Sequence, residues 1–412
     1  MARLNLLAPE VQANPYPFLA ELQRSSPVCQ VDPNGAWLVT RYEDMVAALK
    51  DPHRFSSEGL ALLAEPPWLG SNPSARSLVT AEPVRHGKLR TLVNRAFGVT
   101  GMARLEALVR QLAEELATEA VLRREVDFVE EFAFALPRAV IGHMLGLDRS
   151  VFPKLKRWGT AMAVVSAATT PEMQAEVRDA IAEMGHYLDE IIESRRREPH
   201  EDLVSDLLRA EVDGQQLSRE DLVRFLFLLL PAGLETTTNL LGNMAMYLAR
   251  HPEHVEKART DKAHAVNFIE EVLRFECPIQ ALFRLTSTDV LVGGTTIPQG
   301  SMVILSSAAA NRDERQFSEP ERFLPGREKQ TQHLAFGHGI HFCLGTQLAR
   351  MEARLGLEAL LSRIQGVVMK RGEVQWIPSL AVRGPAVLPV ELLPLAHASR
   401  TSPGGTQNRT TR

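Results

Sequence analysis

Cysteine is scarce in this chain, with three residues (Cys29, Cys277 and Cys343) among 412. So few thiols cannot form a disulfide framework, and their number suits a reducing cytosol. No segment reaches the roughly 18–20 consecutive apolar residues that would span a bilayer; the longest apolar run, residues 225–234, is interrupted by Pro231. The first 17 residues hold one arginine and no long apolar stretch, which argues against a secretory signal. We therefore expect a soluble, cytoplasmic protein that does not associate with membranes.

A surplus of positive charge is also lacking. Lys and Arg number 46 against 50 Asp and Glu, a formal charge of −4, so general nucleic-acid binding is not expected. The apolar share of 45% and charged share of 23% are ordinary for a globular chain. No repeat or long linker divides the sequence. Residues 396–412 are mostly small or polar and cannot offset their ordering entropy. We predict one domain over residues 1–395, a disordered tail over 396–412, and a monomer.

Helical periodicity dominates the middle of the sequence, whereas short β-prone runs lie near its two ends. Ser218, three residues before Asp221, predicts the N-cap of a helix of about 30 residues that ends at Arg250. This helix is apolar nearly all round and should be buried. Residues 58–80 are interpreted as a long loop. The fold class is therefore mainly α with a minor β part (α+β). Further helices are predicted over 18–23, 42–49, 102–122, 137–147 and 172–196, and strands over 36–40, 290–292, 302–305 and 387–392.

The strongest chemical signal is a glycine-punctuated loop, residues 336–345, that holds Cys343 and leads into a helix predicted to start near Leu344. Glycines let a backbone pass close to a large flat ligand. A helix N-terminus should lower the thiol pKa and favour the thiolate. A single thiolate without Cys or His at zinc spacing is a poor zinc site, but it is a good axial ligand for haem iron.

This loop resembles the haem-binding signature of the cytochrome P450 family, Phe-Gly-x-Gly-x-His-x-Cys-x-Gly. A chance match has odds on the order of 10⁻⁵ in a chain of this length. The resemblance covers about residues 10–393, including the stretches 14–17 and 309–313, which look like recurrent segments of bacterial members. It implies one large helical domain with small sheets and haem b between the long helix and the Cys-loop helix. Cys343 would bind the iron, and the loop residues that would contact the haem are Phe336, Gly337, His341 and Gly345.

Within the long helix, residues 232–237 resemble the family's oxygen-binding motif, Ala/Gly-Gly-x-Asp/Glu-Thr. A helical glycine and a buried acid both cost free energy, and such costs are expected at functional sites. By resemblance, Ala232 and Gly233 would line the haem pocket, with Gly233 letting the helix open beside bound dioxygen. Thr236 would hydrogen-bond the distal oxygen and Glu235 would relay protons. Pro231 departs from the family pattern and predicts a sharper kink.

Two further sets of residues follow from the resemblance. His86 and Arg90, four residues apart on one helix face, would bind the haem propionates together with Arg284 and His341. The Glu-x-x-Arg pair Glu271/Arg274 and the Arg322 of Pro320–Phe323 would form a buried charge network with a structural role.

The activity implied by the resemblance is a haem-thiolate monooxygenase that inserts one oxygen atom from O₂ into a hydrophobic small molecule by hydroxylation or epoxidation. The substrate would resemble a fatty acid, terpenoid, steroid or polyketide. Electrons would come from a ferredoxin and its NAD(P)H-dependent reductase, since no flavin or nucleotide motif is present. The alternatives are a peroxide-dependent peroxygenase, a non-catalytic haem-binding protein and a haem-free helical scaffold; the Glu235–Thr236 pair disfavours the first.

Overall fold

The computed structural model describes residues 3–96, 99–165, 169–370, 372 and 374–395. The predicted tail, residues 396–412, lies outside these ranges. The α-helices of the described ranges are α1 Pro9–Ala13, α2 Tyr16–Ser25, α3 Tyr42–Lys50, α4 Glu58–Ala64, α5 Pro83–Ala96, α6 Val99–Arg123, α7 Ala135–Met144, α8 Phe152–Ala163, α9 Pro171–Arg197, α10 Leu203–Arg209, α11 Arg219–Arg250, α12 Glu253–Thr260, α13 Lys262–Phe275, α14 Ser307–Ala310 and α15 Thr346–Leu361.

The strands are short, with two to six residues each. They are β1 Val28–Val31, β2 Ala36–Val39, β3 Phe55–Ser56, β4 Glu125–Asp127, β5 Glu211–Val212, β6 Gln215–Gln216, β7 Ala281–Thr286, β8 Val290–Val292, β9 Thr295–Ile297, β10 Met302–Ser306, β11 Ile364–Met369, β12 Gln375–Trp376, β13 Pro385–Val387 and β14 Pro389–Pro394. The largest sheet has the order β1-β2-β10-β7-β3 and a second has the order β11-β14-β4. In the first, β10 pairs parallel with β2 and antiparallel with β7. The predicted class, mainly α with a minor β part, is confirmed.

The long helix α11 is the central element of the fold. It begins as predicted, because the Ser218 hydroxyl accepts a hydrogen bond from the Asp221 backbone N–H at 3.0 Å, and it spans 32 residues. Among the described helices it is the one long and apolar enough to cross a membrane. However, 61% of its most apolar 18-residue window is buried inside the protein. It is therefore a core helix, enclosed by α7, α8, α9, α13 and α15.

The prediction of one long loop over residues 58–80 is wrong in part. Residues 58–64 form helix α4, and residues 73–76 form a 3₁₀ turn capped by the Asn72 side chain. Helix α4 packs directly on strand β7: a Cβ at Gly59 would lie 2.9 Å from the carbonyl carbon of Arg284. Tertiary contact, rather than a polar–apolar repeat, therefore stabilises this helix.

Candidate active site

The loop around Cys343 is shaped by two glycines with left-handed backbone, Gly337 (φ +69°) and Gly339 (φ +72°). A Cβ on Gly339 would lie 2.2 Å from the carbonyl oxygen of Leu49, so only glycine lets the loop pass the end of α3. The Cys343 N–H donates to the Phe336 carbonyl at 3.0 Å. Helix α15 starts at Thr346, two residues later than predicted. The cysteine therefore lies in a fixed turn immediately before a helix.

The environment of the Cys343 thiol has opposing effects on its pKa. Burial raises the pKa, whereas the Gly345 backbone N–H, the Thr346 hydroxyl and the guanidinium groups of Arg90 and Arg350 lower it. Burial is the larger effect, so the expectation of a lowered pKa is wrong for the free thiol. A metal ion would reverse this balance, because coordination deprotonates a thiol. Among the described residues no group of three or more His, Cys, Asp or Glu could hold a metal ion.

The other two cysteines are less suited to bind a metal. Cys277 is buried and donates a hydrogen bond from its sulfur to the Ile279 carbonyl at 3.1 Å. Burial raises the pKa of its thiol to about 12. Cys29 lies in β1, where burial also raises its pKa. Neither thiol is preceded by a glycine-rich turn or followed by a helix.

A cluster of cationic and hydrogen-bond-donating side chains lies beside this loop. It brings together His86 and Arg90 of α5, Arg284 of β7 and His341 of the Cys loop. The rings of His86 and His341 are 4.5 Å apart between centroids, and the His341 Nε2 lies 3.0 Å from the Ser57 hydroxyl. The structure therefore brings together the four residues that the sequence predicted as propionate partners. Ser57 was not predicted, since a lone serine before α4 carries no recognisable signal.

Within the described part of the chain, no member of this cluster forms an ion pair within 4.0 Å, although Glu82 lies near enough for its charge to act on Arg284. Arg284 is 7% exposed and forms no ion pair within 4.0 Å; one guanidinium nitrogen donates to its neighbour's carbonyl, Phe283 O, at 2.8 Å. His86 is 4% exposed, and its buried Nε2 has no hydrogen-bond partner there. Burial lowers the pKa of Arg284 to about 10, and the charge of Glu82 opposes this effect. Burial, followed by the charges of Arg284, His86 and Arg90, lowers the pKa of His341 to about 3. The unpaired His86 nitrogen and the two guanidinium groups of Arg90 and Arg284, near the single carboxylate of Glu82, fit a buried dianion such as the two propionates of haem.

The predicted oxygen-binding residues lie on one accessible stretch of α11. Ala232 is exposed although the residues from Thr237 to Leu248 are buried. Glu235 is half-buried, and burial raises the pKa of its carboxyl. The Thr236 hydroxyl donates to the Ala232 carbonyl at 2.8 Å. A Cβ at Gly233 would lie 3.3 Å from Ile141 Cδ1, so the helix packs closely on α7 there. The helix is continuous through Pro231, and the predicted opening at Gly233 stays a prediction.

The buried charge network is present, but one of its predicted members is wrong. The Glu271 carboxylate, fully buried, accepts hydrogen bonds from Arg274 at 2.8 and 2.9 Å and from Arg327 Nε at 3.0 and 3.1 Å. Arg322, which the sequence favoured, has a side chain 64% exposed and pairs with Glu319. Only its backbone carbonyl joins the network, accepting from Arg327 at 2.7 Å. The chain turns between residues 322 and 327, so the later arginine reaches the interior.

Sequence reasoning also missed a second network, beneath the Cys loop. Arg350 of α15 donates two hydrogen bonds to Glu270, at 2.6 and 2.7 Å, and the His333 ring contacts the same carboxylate at 3.1 Å. The Arg350 guanidinium lies 4.6 Å from the ring centroid of Phe336. Burial opposes ionisation of Glu270, but Arg350 and His333 outweigh it and lower its pKa to about 2. Through Arg350, this network contacts Phe336, the first residue of the Cys loop. Its members, Glu270, His333 and Arg350, are far apart in the sequence and share no local motif.

Comparison with known proteins agrees with this geometry. The family model for cytochrome P450 matches residues 150–385. The 6-deoxyerythronolide B hydroxylase of Saccharopolyspora erythraea is 35% identical, over 92% of this chain and 96% of that protein. The structure of cytochrome P450 CYP109Q5 from Chondromyces apiculatus has a TM-score of 0.89 and 40% identity, over 96% of this chain and 99% of that one. CYP109E1 from Bacillus megaterium, solved in complex with corticosterone, has a TM-score of 0.83 and 33% identity, over 93% and 99% of the two chains.

The chain belongs to the cytochrome P450 family, because the family model spans more than half of it and the hydroxylase aligns over nearly its whole length. It is an oxidoreductase of the monooxygenase class, in which haem carries a cysteine thiolate ligand and dioxygen is the co-substrate. The predictions of family, fold, enzyme class and cofactor are thereby confirmed.

Proposed function

We propose that the protein inserts one oxygen atom from O₂ into a hydrophobic small molecule, with Cys343 as the iron ligand. The observation that carries this proposal is the glycine-fixed turn at Cys343 beside a buried cluster of donors, none of which forms an ion pair within 4.0 Å among the described residues. The bound haem supplies the oxidative chemistry, while the protein supplies binding, orientation and protons. We propose that residues 1–395 form the single haem domain, that the chain works as a monomer, and that its free thiols suit the cytoplasm.

The proximal residues would hold the haem in one orientation. His86, Arg90, Arg284 and His341 would donate hydrogen bonds to the propionates, which would fill the missing bond of His86 Nε2. Phe336, Gly337 and Gly345 would lie against the ring near the sulfur: a Cβ at Gly345 would come within 3.9 Å of Cys343 Sγ.

Glu235 and Thr236 of α11 would move protons to the reacting oxygen. Because burial raises the pKa of Glu235, its carboxyl keeps a proton closer to neutral pH than an exposed glutamate does, and it can act as a proton donor. In this structure the Thr236 hydroxyl donates to the Ala232 carbonyl. The hydroxyl oxygen of Thr236 can still accept a hydrogen bond. Glu235 would deliver protons from outside, and Thr236 would pass them to the reacting oxygen.

The substrate would be an apolar molecule of steroid or polyketide size. Residues that would line the pocket are mostly apolar and only partly buried, which leaves them available for contact: Leu60, Leu69, Leu228, Leu282, Leu380 and Ala381. One similar structure holds corticosterone, and one relative is named for hydroxylating 6-deoxyerythronolide B. These relatives support steroids and macrolide-like polyketides, and a third similar structure, P450BioI in complex with hexadec-9Z-enoic acid ligated acyl carrier protein, supports fatty acyl chains as well.

The two electrons would come from a ferredoxin and its NAD(P)H-dependent reductase. Helix α5 carries three basic residues, Arg85, Lys88 and Arg95, that would contribute to a docking face on the Cys343 side. Arg85 pairs with Asp221 at 2.6 Å, and Arg95 donates to the Glu211 carbonyl at 2.7 Å. Lys88 forms no ion pair within the described residues, so it would be the member of this set most available to an acidic partner.

Replacement of the ligand tests the assignment of Cys343. Cys343→Ser should abolish the red-shifted Soret band of the reduced carbon-monoxide complex, whereas the matched variant Cys277→Ser should keep it. An unchanged band in Cys343→Ser would refute the assignment.

The two threonines of α11 provide a matched test of the proton route. Thr236 and Thr238 each donate to the carbonyl four residues earlier, at 2.8 and 2.7 Å. With a surrogate ferredoxin system and a substrate that shifts the spin state, Thr236→Ala should divert NADH electrons to hydrogen peroxide. Thr238→Ala should keep product coupling. Equal coupling in both variants would disprove the role of Thr236, and product formation with peroxide alone would favour a peroxygenase.

A further inference from the structure

Two stretches without a role in the proposed function, residues 14–17 and 309–313, meet at a surface recess of about 590 Å³. Tyr16 and Arg312 line it, together with residues from the ends of α11 and α13 and from the segment 376–383. The volume lies in the range of about 300–1,000 Å³ that is typical of small-molecule sites. We propose that this recess is a second ligand site, separate from the haem pocket, and that it binds a flat aromatic monoanion such as an aryl carboxylate.

Aromatic rings and stacked guanidinium groups form the walls. The Arg312 guanidinium carbon lies 3.5 Å from the ring centroid of Tyr16 and 3.6 Å from that of Phe275, so both of its faces are covered. The Arg383 guanidinium carbon lies 3.6 Å from the ring centroid of Trp376. Both arginine side chains are 8% exposed. Because these guanidinium groups are already stacked, a ligand would meet the aromatic side chains themselves, and aromatic side chains favour a flat aromatic ligand.

The acids of the recess are already occupied. Glu276 accepts hydrogen bonds from the hydroxyls of Tyr16 and Tyr247, at 2.5 and 3.0 Å, and from Arg383 Nε at 2.6 Å. Glu321, the other acid that lines the recess, pairs with Arg312 at 2.6 Å. The charges of Glu276 and Glu321 thus balance those of the buried Arg383 and Arg312. Any further arginine that lines the recess adds a net positive charge.

That excess comes from two arginines, Arg24 and Arg250. The Arg250 guanidinium carbon lies 5.8 Å from the ring centroid of Tyr247, and Arg250 forms no ion pair within 4.0 Å among the residues that the structure describes. Arg24 pairs with Glu21 at 3.1 Å, but both side chains are more than half exposed, and such pairs contribute little. An anion in the recess would give Arg250 its first close countercharge, whereas a cation would be repelled and a neutral ligand would gain only stacking.

The test uses full-length haem-loaded protein with saturating imidazole on the iron, so that the haem pocket is blocked. Calorimetric titration with 2-naphthoate should show one saturable site. Its dissociation constant should rise at least tenfold for Arg250→Gln, and a similar weakening is expected when the neutral 2-naphthamide replaces the carboxylate. Arg110→Gln is the matched control, because Arg110 is a half-exposed arginine of α6 in a recess without aromatic walls. This variant should bind 2-naphthoate with unchanged affinity.

Three results would each overturn the proposal: no saturable binding in the presence of imidazole, equal affinity for the amide and the carboxylate, or an equal loss in Arg110→Gln. Arg24→Gln provides a second variant at the recess and should also weaken naphthoate binding. The haem absorbance recorded during the titration shows whether the iron remains coordinated by imidazole, so failure of this site is distinguishable from failure of the proposed monooxygenase site.

Discussion

Replacing Arg327 by alanine should destabilise the protein strongly, whereas replacing Arg322 should not. The Arg327 side chain is 3% exposed and donates both to the buried Glu271 carboxylate and to backbone carbonyls, including those of Ser318 and Arg322. Its loss would leave part of the buried Glu271 charge unpartnered. Breaking a buried ion pair costs about 3–5 kcal/mol. The Arg322–Glu319 pair lies at the surface, where such a pair contributes about 0–1 kcal/mol.

The assay is urea denaturation followed by far-UV circular dichroism and by the haem absorbance band in parallel, because loss of the cofactor breaks two-state behaviour. Arg327→Ala should unfold at a much lower urea concentration and release haem with it. Arg322→Ala should stay within about 1 kcal/mol of the unmodified protein, and Arg327→Lys should fall between them, since lysine keeps the charge but not the planar donor group. Comparable destabilisation by the two alanine variants would refute the assignment of Arg327 to the network.

Three further predictions concern the loop and the two buried acids near it. Gly339→Ala should lower haem content and stability, because its Cβ would meet Leu49 O at 2.2 Å; Gly294→Ala, with positive φ but open space around it, is the control in a thermal-unfolding assay. The pKa of Glu270 is lowered to about 2, so its stabilising effect is present above its ordinary pKa and is lost as pH falls towards 2; Glu270→Gln should flatten the acid limb of the melting-temperature profile. Burial raises the pKa of the Glu352 carboxyl to about 8. The unfolded chain ionises this group at a lower pH than the folded protein does, so stability falls as pH rises to 8. Melting curves at pH 6 and 9 should show Glu352→Gln gaining stability relative to the unmodified protein chiefly at pH 9.

Features set by neighbouring residues were predicted well from the sequence. The Ser218 cap and the 219–250 helix follow from a local hydrogen bond and a local apolar pattern, and the helix predicted over 102–122 is found at Val99–Arg123. Helix α4 was missed because residues 58–64 carry no polar–apolar repeat. It is held by Gly59 against the backbone of Arg284, more than 200 positions away, and a single sequence does not reveal such a contact.

In the candidate site, too, short motifs were predicted from the sequence, whereas features that depend on tertiary contacts were not. The glycines around Cys343 and the spacing of His86 and Arg90 are visible as short motifs, and the structure brings these residues to one place. The choice between Arg322 and Arg327 depends on how the intervening turn is oriented, and both arginines are compatible with the sequence. Similarly, the sign of the thiol pKa shift depends on the extent of burial, which helix position alone does not determine.

The parallel pairing of β2 with β10 has a consequence for how the chain is made. Val39 of β2 pairs with Leu305, so the main sheet cannot close until the ribosome has synthesised more than 260 further residues. At about 5–20 residues per second this takes on the order of 10–50 s. During that interval the apolar edge of β2 is uncovered on the nascent polypeptide. Chaperone binding should therefore concentrate on this early hairpin and decline once residue 306 has emerged.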